Sequence, residues 1–104
     1  MSEQDIGEVK YVKNTKKKYQ LIKERDDEEL RNLLDNPAAC WFMWRLLKEC
    51  GLFQTSSVHD PHKMAIASGR RDIGLWLLDK VNEVDRQGYM KLVRESQRRE
   101  DNGN

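Results

Sequence analysis

Residues 36–51 read NPAACWFMWRLLKECG, and this stretch decides the fold class. Asn36 followed by Pro37 is typical of a helix start, with the asparagine as N-cap and the proline at the first helical position. One helical face is then apolar, and three aromatic residues widen it until few polar positions remain. The face is formed by Ala39, Met43, Leu46, Leu47 and Cys50, flanked by Trp41, Phe42 and Trp44. Gly51 favours the left-handed backbone that ends helices. The pattern predicts a central helix that other helices cover on most sides.

Downstream, Asp60 and Pro61 repeat the same start signal, and apolar residues follow a helical period as far as Val84. Gly69 and Gly74 fall inside this period, and each costs a helix about 1 kcal/mol relative to alanine. Either the helix breaks near Gly69, or the glycines let a neighbouring helix approach closely. A single helix is the interpretation that we favour, and a kink at a glycine is compatible with it.

Two acidic signals predict the starts of the outer helices. The run Asp26–Glu29 has the spacing of a capping box and complements the positive end of a helix dipole. Leu30, Leu33 and Leu34 then form one apolar stripe, which ends where the Asn-Pro pair begins. Asp85 is expected to cap a last helix in the same way.

These elements predict an all-α fold, a small bundle of about four helices around Trp41, Trp44 and Trp76. No segment alternates with period two, and valine, isoleucine and threonine are sparse. The predicted organisation is a flexible basic tail over 1–18, a single helical domain over 19–100 and a polar tail over 101–104.

Composition limits the function classes. The chain has 104 residues, of which 38% are hydrophobic and 36% charged, so we expect a small core with solvated ends. Nineteen Lys and Arg against eighteen Asp and Glu leave a net charge of +1, which argues against a strongly basic protein that coats nucleic acid. The longest apolar run, residues 38–44, is far shorter than the roughly 20 residues that cross a bilayer. With no export signal in view, a soluble intracellular product without membrane contact is the expectation.

Cys40, Cys50, His59 and His62 are the right residue types for zinc, but their spacing is wrong. Structural zinc sites usually present two ligands two to four residues apart at each end, and only the histidines approach this. Ten residues within one helix separate the cysteines by about 15 Å, which also excludes a disulfide between them. We expect two buried thiols, no metal and no cofactor.

No arrangement of nucleophile and base predicts catalysis. Ser56 and Ser57 lie near His59, but no strand-turn-helix elbow surrounds them. The two glycines and two arginines of residues 69–74 lack the phosphate-loop pattern and the preceding strand. The chain is therefore predicted to have no catalytic residue and not to be an enzyme.

Three basic groups are candidates for contact with a partner or with phosphate. At chain ends, such charge runs also serve simply to keep a small domain soluble. In the third helix, we expect one arginine to lie in an ion pair with an acid such as Asp35 or Asp79, and the other to be free in solvent. The candidates are Lys13, Lys16, Lys17 and Lys18, then Arg70 and Arg71, and finally Arg98 and Arg99.

The central stretch resembles a family of small tailed-phage proteins typified by one from a Bordetella podophage. The resemblance covers about residues 30–95 and departs from the family at Ala38-Ala39, where a Gly-Arg pair is common. It is carried by NP at 36–37, WRLL at 44–47, CGLF at 50–53, GRRDIGLWLL at 69–78, and Tyr89, Leu92 and Glu95. It implies a product of the phage structural and morphogenesis genes, with no enzymatic activity attached.

Two functions follow as hypotheses. The first is a non-enzymatic virion-associated or assembly protein that docks on phage structural proteins such as portal, head or ejection components. It rests on the aromatic residues, since any that stay exposed are natural interface anchors. The alternative is a nucleic-acid-binding accessory protein for packaging, replication or ejection that uses the terminal basic segments. In either case the protein is expected in the host cytoplasm during infection, and the first also places it in the virion.

Overall fold

The computed structural model describes residues 3–53 and 59–103, with side chains from residue 13 onward. It contains four α-helices: α1 (Glu3–Leu34), α2 (Pro37–Glu49), α3 (Pro61–Val84) and α4 (Gly88–Asp101). The predicted all-α class and the number of helices are confirmed. Within the described residues, no helix is both long and apolar enough to span a membrane.

Helix α1 corrects the predicted start near Asp26. It has 32 residues and is about 48 Å long at the usual rise, so the acidic run lies in its interior. Neither glycine nor proline occurs between Val9 and Leu34. Basic residues one turn earlier also balance two of the acids, with Lys23 Nζ 2.8 Å from Asp27 and Arg25 Nε 4.0 Å from Glu29. The predicted tail is thus helical from Glu3, while its flexibility stays a prediction.

Helix α2 begins and ends as predicted. The Asn36 side chain accepts hydrogen bonds from the backbone N–H groups of Ala38 and Ala39, at 2.9 and 3.2 Å. Pro37 occupies the first turn, where no N–H group is needed. After the helix, Gly51 has a φ angle of 75°, the left-handed conformation that favours glycine. Local capping chemistry therefore sets both ends of the central helix.

Helix α3 runs unbroken through both interior glycines, as we favoured. Its Asp60 cap accepts the N–H of His62 at 2.9 Å. A Cβ atom built at Gly74 would lie 2.7 Å from Cys50 Cβ and 3.0 Å from Leu52 Cγ, so the end of α2 approaches α3 closely there. At Gly69 such an atom would meet nothing within 4 Å.

The link between α3 and α4 corrects the predicted role of Asp85. Helix α4 begins at Gly88, and Asp85 instead ends α3, with its own N–H donating to the carbonyl of Val81. Its side chain accepts the N–H of Gln87 at 2.8 Å, which closes the turn between the helices. The Asp85 carboxylate accepts its hydrogen bond in the turn before α4, and not at the start of α4, because the turn offers the nearer N–H group.

The core is aliphatic, which corrects the predicted tryptophan centre. Trp41 and Trp44 are only partly buried, and Trp76 is 59% exposed. Five helical steps of about 100° place Trp76 some 140° around α3 from the fully buried Val81. The buried cluster consists of Leu34, Cys40, Met43, Leu47, Val81, Val84 and Leu92.

The molecule is elongated. Its radius of gyration is 19.9 Å, against about 13 Å for a compact domain of this length. Its longest dimension is 67 Å, which exceeds the length of any one helix. Part of α1 therefore projects beyond the four-helix core, and this leaves a helical surface that the chain does not cover itself.

Candidate docking surfaces

Residues that commonly perform catalysis or bind metals do not converge in the described part of the chain. No group of three or more His, Cys, Asp or Glu there could hold a metal ion. Cys40 and Cys50 are free and buried, and the thiol of Cys40 lies 3.2 Å from the carbonyl oxygen of Leu34. Burial raises the pKa of the Cys40 thiol, which keeps it in the unreactive protonated form.

The two histidines of the metal test, His59 and His62, are exposed. Ser56 and Ser57, which the sequence placed near His59, lie outside the described residues.

Some of the aromatic residues stack on one another. The Trp44 ring stacks on Phe53 with a centroid distance of 5.0 Å and lies 6.4 Å from Tyr89. The guanidinium of Arg99 lies 5.1 Å from the centroid of a Trp41 ring. Trp41 and Trp44 thus have partners inside the chain, although neither is fully buried.

Other large apolar side chains face solvent on α2. Phe42 is 61% exposed, and Leu46 follows it one turn later with 37% exposure. Residues four apart lie side by side on a helix, so these two form one apolar surface, here named the α2 pair. Phe53 is also 47% exposed, at the outer edge of the Trp44 stack. The α2 pair therefore has the character of a docking surface.

A groove of about 370 Å³ lies between α1 and α3. Its apolar lining includes Tyr19, Ile22 and Leu30 from α1, and Trp76 and Leu77 from α3. Tyr19 is 72% exposed, which makes the groove open at the end where α1 projects. We name this feature the α1–α3 groove.

Charged side chains close one rim of the α1–α3 groove. Lys23 Nζ donates to Asp27 at 2.8 Å and, across the groove, to Glu83 at 2.9 Å. These hydrogen bonds raise the pKa of Lys23 and lower the pKa values of Asp27 and Glu83. Lys23 therefore stays cationic and joins α1 to α3.

The C-terminal basic candidates are engaged inside α4. Arg98 Nη2 and Arg99 Nε lie 2.5 and 2.9 Å from the same Glu95 oxygen, Oε1, and Glu95 is itself buried. Arg98 Nε also donates to the other oxygen, Oε2, at 2.9 Å, and the hydrogen bonds, chiefly those from Arg98, lower the pKa of Glu95 to about 2. A phosphate contact through Arg98 or Arg99 stays a prediction, but it would compete with this internal carboxylate.

The α3 arginines differ from the expectation. Arg70 and Arg71 are both exposed, and neither forms an ion pair with an acid among the described residues. Asp35 instead lies 2.9 Å from Lys91 of α4. The physical reason is that buried positions of α3 begin only at Gly74, so both arginines precede the packed part of the helix. Their proposed partner contacts stay predictions.

The N-terminal basic candidates share the projecting helix. Lys13, Lys16, Lys17 and Lys18 are all exposed, and they precede the first groove residue, Tyr19. The structure does not bring them together with the α3 or α4 arginines in any described contact.

Sequence reasoning missed the α1–α3 groove, because Trp76 was assigned to the core. The sequence does contain a signal for it. At helical spacing, Tyr19, Ile22, Leu30 and Leu33 lie on the same side of a helix that also includes the acidic run, which indicates a single helix with an apolar side.

Comparison with known proteins gives one match. The model of the family described as Bbp19-like phage protein matches residues 30–94. The matched part extends from the last turns of α1 into α4, so it contains the aliphatic core and the α2 pair. Neither the curated proteins nor the solved structures gave a match.

Proposed function

The chain belongs to the family of Bbp19-like phage proteins, and from this premise we propose that it is a non-enzymatic virion-associated or assembly protein. In this proposal its helical domain docks on another phage structural protein, such as a portal, head or ejection component. It would be present in the host cytoplasm during infection and would then enter the virion.

The observation that supports docking is the exposure of large apolar residues within the matched part. Phe42, Phe53 and Trp76 are 61%, 47% and 59% exposed, whereas the core contains only aliphatic and sulfur side chains. Aromatic residues are enriched at protein interfaces, where they form anchors that fill pockets of the partner. The sequence hypothesis required at least one aromatic anchor on the surface, and three residues meet that condition.

The α2 pair is the best-defined anchor. Phe42 and Leu46 lie about 100° around α2 from the buried Met43 and the fully buried Leu47, so the core fixes their orientation. Exposed Arg45 beside them supplies a polar rim. An apolar centre with a charged edge, mounted on a rigid helix, is the usual composition of a docking surface.

A non-enzymatic role agrees with the chemistry of the described residues. Cys40 is held protonated in the core, and both histidines of the zinc test lie on the surface. The strongest electrostatic contacts, those of Lys23 and Glu95, join or stabilise helices.

Mass spectrometry of purified phage particles and of assembly intermediates tests the proposal. We expect the wild-type chain in one or both fractions, and we expect Phe42→Ser/Leu46→Ser to reduce its amount there. Met64→Ser/Ile66→Ser, which changes two exposed apolar residues of α3, is the matched control and should be retained. Absence of the wild-type chain from both fractions would refute the proposal.

A mobility-shift assay at low salt distinguishes the nucleic-acid alternative. That alternative requires binding that weakens as salt rises and that is lost when residues 1–18 are deleted. The docking proposal requires no such shift.

A further inference from the structure

Residues 13–29 of α1, here named the arm, carry two charge blocks of opposite sign. The basic block contains Lys13, Lys16, Lys17 and Lys18, and the acidic block is the run Asp26–Glu29. All four lysines and most of the acids are exposed. Their centres lie about 11 or 12 residues apart, or about 17 Å along the helix, with Ile22 near the midpoint. The two blocks are too far apart along one helix to contact each other, although Lys23 and Arg25 pair with acids of the second block.

Between the two blocks, α1 exposes apolar side chains at the α1–α3 groove beside the Lys23 contact to Glu83. Tyr19 is 72% exposed, Ile22 is 42% exposed and both line the α1–α3 groove next to Trp76. Aromatic and aliphatic residues inside a charged rim form the usual composition of a protein interface. The arm thus has an apolar centre and complementary charges on either side of it.

The exposed area of the chain is large enough for a stable interface. The chain exposes 8458 Å², about 2,400 Å² more than the roughly 6,100 Å² typical of a compact monomer of this mass. A standard interface covers only about 800 Å² on each partner. A second copy could cover the arm and groove within that excess and leave the α2 pair free.

We propose that the chain forms a symmetric dimer in which the α1 helices of two copies pair antiparallel across the α1–α3 groove. With Ile22 near the two-fold axis, Lys16 and Lys18 flank the apolar side of α1 and lie opposite the acidic run of the other copy, and the reverse contact is formed at the same time. Lys17 lies on the far side of the helix and adds only to the local charge. Tyr19, Ile22 and Trp76 of both copies form the apolar centre. A two-fold interface requires this kind of self-complementarity.

The order of the two charge blocks along α1 favours pairing with an antiparallel second copy, rather than with a parallel copy or an unrelated helix. A parallel pair would place lysine against lysine and acid against acid, and like charges in contact disfavour binding. An unrelated partner would need the same two blocks in reversed order at the same separation. The arm's own antiparallel copy supplies this pattern. The two charge blocks lie outside the family match at 30–94, whereas Trp76 lies inside it, and the inference rests on the blocks and not on the proposed function.

The first test is charge reversal on the full chain, read by sedimentation equilibrium or light scattering. Wild type should have twice the monomer mass of 12.3 kDa. Lys16→Glu/Lys17→Glu/Lys18→Glu and Asp26→Lys/Glu28→Lys/Glu29→Lys should each weaken the dimer by at least about a hundredfold, because both place like charges in contact. An equimolar mixture of the two variants should recover a heterodimer.

A matched control for the lysine reversal is the triple reversal Lys63→Glu/Arg70→Glu/Arg71→Glu on α3, which changes the net charge by the same amount and in the same direction but leaves the arm intact. It should remain dimeric. A wild-type chain that stays monomeric across the micromolar range would overturn the proposal. So would dimers that survive both arm reversals, or variants that remain separate when mixed although circular dichroism shows that each is folded.

The second test places a cysteine at the two-fold axis. Ile22→Cys should form an intermolecular disulfide on mild oxidation, at least about tenfold faster than Gln20→Cys, because only the first brings its two thiols together in the dimer. The native thiols of Cys40 and Cys50 are buried and give a low background. Equal rates for the two variants would contradict the antiparallel pairing.

Discussion

Alanine at each of the two interior glycines of α3 tests the close packing of α2 on α3. The positions share a helix but differ in surroundings. At Gly74 the new Cβ atom would lie 2.7 Å from Cys50 Cβ and 3.0 Å from Leu52 Cγ. Cys50 Cβ is attached directly to the backbone, so it moves only if the end of α2 moves. At Gly69 the new atom would meet nothing within 4 Å.

The expected changes in the free energy of unfolding follow from helix propensity, which is common to both sites, and from overpacking, which is not. Replacing glycine by alanine in a helix gains about 1 kcal/mol in the free energy of unfolding. Overpacking a well-filled contact costs about 1–3 kcal/mol, and only Gly74→Ala incurs it. Because the propensity gain cancels in the comparison, Gly69→Ala should be the more stable variant by about 1–3 kcal/mol. For a domain of this size, each kcal/mol corresponds to about 4–8 °C in Tm.

Thermal and urea unfolding of the full chain, followed by far-ultraviolet circular dichroism, measures this difference. We expect Gly69→Ala to melt above wild type, and Gly74→Ala to melt below Gly69→Ala by several degrees. Gly74→Leu should lower the Tm further, because a larger side chain must push the helices apart. The packing of Cys50 and Leu52 on α3 would be refuted if Gly74→Ala raised the Tm as much as Gly69→Ala does.

Three further predictions concern the core, a cap and an ion pair. Leu92→Ala should lower the free energy of unfolding by about 2–5 kcal/mol in chemical unfolding, because Leu92 is fully buried. Ile66→Ala, on the exposed side of α3, should change it by no more than about 0.5 kcal/mol. Asn36→Ala should cost about 1 kcal/mol by removing the α2 cap, and an unchanged urea midpoint would argue against that cap. The pKa of Glu95 is about 2 in the folded chain, below its usual 4.5, so its ionised form stabilises the fold above the usual value and this contribution is lost as pH falls towards 2. The Tm of wild type should therefore fall more steeply than that of Glu95→Gln between about pH 5 and pH 2, and parallel profiles would contradict this.

Local capping chemistry explains which helix boundaries the sequence could predict. Asn36-Pro37 and Asp60-Pro61 each place an acceptor side chain beside free N–H groups, and both helices begin there. Asp26 and Asp85 carry the same chemistry but do not begin helices. In α1, Lys23 and Arg25 one turn earlier support the acids inside a longer helix, and Asp85 finds a nearer N–H group in the turn. A potential cap residue therefore indicates a helix boundary only where no other side chain or N–H group competes for its carboxylate or amide oxygen.

The candidate surfaces were less predictable, because they depend on how helices pair in space. Helical period places Trp76 and Leu77 on adjoining sides of α3, and it does not tell which side faces the core. That choice depends on α1, whose Lys23 joins α3 through Glu83, 60 residues away in sequence. The exposed arm was likewise hidden, since its lysines and its acids were assigned to a tail and a cap. Read as one helix, they form the two complementary blocks described above.

The two proposed interfaces use different forces, so ionic strength can separate them. The α1 pairing depends on exposed charges, and salt screens such charges within about 8 Å at physiological ionic strength and more closely above it. The α2 pair is apolar, and its docking should keep its strength as salt rises. If both proposals hold, raising salt should first convert dimers to monomers while the chain remains bound to particles. A two-fold dimer also presents two α2 pairs, so loss of the dimer, whether by high salt or by the arm reversals, should speed release from multivalent sites. Loss of the dimer before loss of particle binding would therefore assign self-association to the arm and docking to the helical domain. The charge pattern of α1 and the exposed Phe42 of α2 indicate this division of roles.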